Sequence, residues 1–83
     1  MDSISLNDII NELNSFIKEN ILDQSVSYSE NMTFNEMGVD SVSIIQIVLF
    51  IERKYGVAMT ENDLTPDNLK SIKSLASFTI KSL

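Results

Sequence analysis

The chain has 83 residues, no cysteine and no histidine, and a net charge of −6. This is length for one modest core, and it excludes disulfides, thiolate or imidazole metal sites, and any Cys/His or Ser/His catalytic pair. Acidic charge opposes binding to nucleic acid or anionic lipid and favours basic patches on proteins.

At 43% hydrophobic the chain is too apolar to read as disordered. Met1-Asp2-Ser3-Ile4 lacks the basic start of a signal peptide, and no apolar run reaches membrane-spanning length. The expectation is a soluble, cytoplasmic protein, a monomer, with no membrane and no nucleic acid among its partners.

The first helix is predicted to start near Ser5, which forms a capping-box-like start with Asp8, flanked by Ile4 and Ile9 as a staple. Leu6, Ile9, Ile10, Leu13, Phe16 and Ile17 then recur at helical spacing, with polar residues between them. From Asp23 to Asp40 the periodicity disappears and a long surface loop is expected. Val26, Tyr28, Met32, Phe34 and Met37 are its anchors to the core. A loop this long in a small domain tends to be functional.

The second helix is predicted from about Ser41 to Tyr55. Asp40 serves as N-cap, Arg53 and Lys54 lie in the last turn, and Gly56 makes the left-handed stop. It is apolar on too many sides for a single core-facing stripe, so it is either deeply buried or has a second partner. Ile44, Ile47, Val48, Ile51 and Tyr55 fall on the core side. Val42, Ile45, Gln46, Leu49 and Arg53 fall on another arc. An exposed apolar arc marks an interaction site, although tight burial is the competing reading. A short third helix is expected to open at Thr65-Pro66, and a last helix after Ser71 carries Ile72, Leu75, Ala76, Phe78 and Ile80. The predicted fold is all-α: three main helices and one short one, with a long loop between the first two, in a single domain over 1–83.

Met37-Gly38-Val39-Asp40-Ser41-Val42 stands immediately before the long apolar helix. This stretch resembles the signature of the acyl carrier protein family, the phosphopantetheine-binding acyl, polyketide and peptidyl carriers. The resemblance extends to Phe34 upstream, to Glu52-Arg53-Lys54-Tyr55-Gly56-Val57 at the helix end, and to Leu64 through Leu69 with Ser71-Ile72 beyond. It covers the chain from Leu6 to about Phe78.

The resemblance implies a 4′-phosphopantetheine arm from coenzyme A on the Ser41 hydroxyl, joined as a phosphodiester by a phosphopantetheinyl transferase. The arm's thiol would hold acyl, polyketide or aminoacyl groups as thioesters, which suits a chain with no cysteine of its own. No catalytic residue and no metal site are expected. With no histidine in the chain and no lysine near Ser41 in sequence, activation of the hydroxyl falls to the transferase and its metal ion. Free N–H groups at the helix start would favour the phosphate.

The family's partner-recognition face falls on Asp40, Val42, Ile45, Gln46, Leu49 and Arg53. The implied partners are enzymes that load or process acyl groups, of ligase, acyltransferase, ketosynthase or condensation type. Glu36, Asp40, Glu61, Asp63 and Asp67 read as solvated surface, or as a ring that steers basic partners to the Ser41 end.

Within the family, fatty-acid carriers usually have an acidic second helix. Here that helix has only Glu52 against Arg53 and Lys54, which resembles the carriers of polyketide and nonribosomal peptide biosynthesis. Val42 and Thr79 are smaller departures, at positions where Leu and an apolar residue are usual. A fatty-acid-synthesis carrier is one alternative. A carrier-like module that is never modified and only binds partners is another.

Overall fold

The computed structural model describes residues 4–22 and 25–83. The expectation for the extreme N-terminus and the start of the first loop at Asp23 lie outside the described residues.

The described chain is helical: α1 (Leu6–Asn20), a short α2 (Phe34–Met37), α3 (Ser41–Tyr55) and α4 (Ile72–Ser82), with a 3-10 turn at Glu61–Asp63. It is the expected all-α arrangement of three long helices and one short one. The helix read as second in the sequence is therefore α3.

Each long helix starts on a side-chain cap. The Ser5 hydroxyl accepts from the Asp8 N–H while the Asp8 carboxylate accepts from the Ser5 N–H, closing the capping box. Ser71 caps α4 by accepting from the Ser74 N–H. Ile9, Ile10, Leu13 and Ile17 form the buried stripe of α1, which packs on α4 and α3. The core joins them to Ile47, Val48 and Ile51 of α3 and to Ile72, Leu75 and Ala76 of α4. Among the described residues, no helix is long and apolar enough to cross a membrane.

The short helix stands elsewhere than expected. Residues from Pro66 to Leu69 make a turn, not a helix, although Thr65 does accept from the Asn68 N–H as a cap would. The short helix instead lies in the first loop, where Thr33 and Glu36 form a capping box. It brings Phe34 and Met37 into the core as expected of them. Tyr28 and Met32 pack partly against it, while Val26 stays exposed.

The loop is also tied to the segment before α4. Phe34 N–H donates to the Lys70 carbonyl at 2.9 Å, Lys73 N–H to the Glu30 carbonyl at 3.3 Å, and Thr33 and Ser71 form an isolated bridge. Thr79 is fully buried where an apolar residue was expected. Its hydroxyl donates to the Leu75 carbonyl at 2.7 Å, so the polar atom is satisfied inside the helix.

Candidate functional site

The three residues before α3 build the site in order. Gly38 adopts φ 83°, a left-handed conformation that a side chain resists. Its N–H donates to the Asn35 carbonyl at 3.2 Å, and the Val39 N–H donates to the Phe34 carbonyl at 2.8 Å. This is a Schellman motif: it closes α2 and turns the chain, and it puts Val39 and Phe34 together in the core. Asp40 then emerges as N-cap of α3, accepting from the Ser43 N–H at 2.8 Å. Ser41 follows at the first helical position and is exposed. A Gly that turns, an apolar residue that anchors and an Asp that caps leave the serine hydroxyl accessible at a rigid helix end.

The electrostatics at this end are acidic and locally engaged. The Ser43 N–H holds the Asp40 carboxyl below its ordinary range, with smaller help from the Val42 N–H. Glu36 is likewise lowered, chiefly by the Thr33 N–H, then by the Thr33 hydroxyl, and to a lesser degree by Lys70. Asp63 accepts from the Thr60 N–H and hydroxyl. Three of the five acids expected to form a steering ring thus hold local turns. Asp40 is the N-cap expected of it, and its bond from the Ser43 N–H takes up one of the helix-start donors that would otherwise face a phosphate.

Ser41 lies in a groove of about 540 Å³ with Asp40, Thr33, Asn35, Ile44, Leu69 and Lys70 among its walls. Lys70 escapes sequence reasoning because it is remote from Ser41 along the chain. The loop-to-α4 hydrogen bonds bring it to the same groove.

The second arc of α3 is exposed. Val42, Ile45 and Leu49 keep 68%, 47% and 42% of their surface, and Gln46 and Arg53 are exposed beside them. At roughly 100° per residue the five span an arc of about 100°, opposite Ile47, Val48 and Ile51. Tight burial of this arc is thereby set aside. Ile44 and Tyr55, expected in the core, are half-buried at its edge.

At its C-terminal end the arc runs into a second groove of about 550 Å³. There Gln46, Leu49 and Arg53 meet Phe16, Asn20, Phe50 and Lys54. The Phe16 and Phe50 rings stack at 4.5 Å. Phe16 reads in the sequence only as part of the α1 core stripe. Its place in a groove depends on how α1 sits on α3, which helical spacing does not encode.

A family model described as a phosphopantetheine attachment site matches residues 19–79. That family carries a covalently attached 4′-phosphopantetheine, and its members serve as carriers of thioester intermediates. No curated protein and no solved structure matches the chain significantly. The family match spans most of the chain, from the end of α1 into α4, and includes the turn, cap and serine described above, so this chain belongs to the phosphopantetheine-binding carrier family.

Proposed function

We propose that Ser41 is the attachment point of the arm, and that residues 1–83 act as one carrier domain in polyketide or nonribosomal peptide type biosynthesis. The observation that supports this best is the pairing of an exposed helix-start serine with an exposed, weakly charged apolar face on the same helix.

The residues fit the arm. The Ser41 hydroxyl is accessible, and the groove beside it has polar walls at Thr33 and Asn35, apolar walls at Ile44 and Leu69, and one cation, Lys70. In attachment, Ser41 Oγ bonds to phosphorus and loses its proton to the transferase, while the diphosphate P–O bond of coenzyme A breaks and the adenosine bisphosphate leaves. The bound arm supplies the thiol on which acyl groups ride. This chain contributes position: Gly38, Val39 and Asp40 fix where Ser41 stands, exposed at the head of α3.

Partner choice is assigned to Asp40, Val42, Ile45, Gln46, Leu49 and Arg53. Within α3 the acid Glu52 is turned to structure, accepting from the Met59 N–H at 2.9 Å. The exposed part of α3 therefore offers apolar contact and Arg53 in place of a row of carboxylates. This supports assembly-line partners, of the loading, acyl-transfer, ketosynthase or condensation type, over those of fatty-acid synthesis. The pathway is tested by offering the modified chain to a panel of acyl- and aminoacyl-loading enzymes. Faster loading by polyketide or peptide assembly enzymes than by a fatty-acid malonyl transferase is the expected result; the reverse order would overturn the assignment.

A further inference from the structure

Modification of Ser41 would add a negatively charged phosphodiester to a chain of net charge −6. The charge would sit next to the Asp40 carboxylate, which already takes the Ser43 N–H. Like charges this close repel, and the helix end alone offers less than its full set of donors. A cation within reach would relieve that repulsion.

The chain has six basic residues. Lys18 lies over the Tyr28 ring, Lys54 pairs with Glu12, and Arg53 shares the groove between α1 and α3. Lys73 and Lys81 line a separate groove along α4. Lys70 borders that groove too, but it alone among the six also lines the groove that holds Ser41. Its backbone is fixed by the hydrogen bond from the Phe34 N–H and by the Thr33–Ser71 bridge one residue on. Its side chain is exposed, and its field already reaches the acidic rim at Glu36. A fixed base with a long mobile cation suits a charge that arrives only after folding.

We propose that Lys70 is the counter-ion of the phosphodiester on Ser41, and that it draws the start of the arm into the groove against Ile44 and Leu69. This rests on the reading of Ser41 as the attachment point. The arm is then biased away from the arc of Val42, Ile45 and Leu49, which stays open to a partner, and a partner's own cations can compete with Lys70 and release the arm. Lys70 is a positioning residue and touches no reacting bond.

The test uses the full chain, modified by a broad transferase with coenzyme A, with modification verified by mass. Nuclear magnetic resonance then compares unmodified and modified wild type, Lys70→Gln and Lys70→Arg. Loading is expected to move the Lys70 Cε resonance, and the move is expected to shrink as salt is raised. Cross-relaxation from the arm's methyl protons to Ile44 and Leu69 is expected to fall by roughly 1.4- to 5-fold in Lys70→Gln, the ratio a solvent-exposed ion pair supports, and to survive in Lys70→Arg. A modified wild type in which Lys70 does not respond overturns the counter-ion while leaving attachment at Ser41 intact, and this readout needs no variant to fold. Absence of any mass gain overturns the Ser41 reading and the counter-ion with it.

Discussion

At Ser41 the hydroxyl owes its accessibility to its neighbours' roles and not to its own chemistry. Val39 is buried, Asp40 caps, and Ser41 is left at the first turn with its side chain in solvent. Leu49 shows the same logic two turns on. Its surface is 42% exposed and it lies outside the buried core, so an aspartate there costs some apolar contact but leaves the core packing in place. Leu49→Asp is expected to leave the helical circular dichroism unchanged and to lower stability by about 1–2 kcal/mol. It is also expected to slow loading by partner enzymes, whereas a loss of helix would show that Leu49 is needed for the fold.

At this scale the sequence is informative where one residue type answers one local demand. The Asp40 cap, the Gly56 stop and the split between Ile47 and Leu49 all follow from spacing along one helix. Lys70 and Phe16 do not, since their roles depend on which distant segment lies beside them.

At the scale of elements, α2 is the informative difference. A four-residue helix cannot be held by propensity and needs caps at both ends. Its start signal, Thr33 with Glu36 three residues later, is present in the sequence but is masked by the polar loop around it. Its stop is Gly38. A Cβ at Gly38 would meet nothing within 4 Å, so the cost of Gly38→Ala comes from the backbone conformation and not from a clash. Chemical denaturation is expected to show a loss of about 1–2 kcal/mol.

The caps also set an acid limit. The native carboxyls of Asp40 and Glu36 are held below their ordinary range by the N–H groups they accept. Their contribution is therefore complete above the ordinary carboxylate range and is lost as pH falls through the lowered native values. Thermal melts across that range are expected to show declining stability towards acid. The decline is expected to be smaller in Asp40→Asn, which still caps but does not titrate; an equal decline in both chains would show that Asp40 is not among the groups responsible.

At the scale of the molecule, stability rests on the seam where α1 meets α3 and α4. Leu13 is fully buried in that seam. Leu13→Ala is expected to cost about 2–5 kcal/mol, a large share of what so small a domain has to lose, and to lower the denaturation midpoint sharply. The acidic net charge acts at the same scale by repelling anionic surfaces and drawing basic partners. A core built on one side of α3 leaves the other side, and the serine at its head, exposed, as the proposed presentation to larger enzymes requires. The most direct measurement is the intact mass of the chain after incubation with coenzyme A and a broad phosphopantetheinyl transferase. A gain of one phosphopantetheine, abolished in Ser41→Ala, is the expected result; no gain, or a gain that persists in Ser41→Ala, would contradict the account.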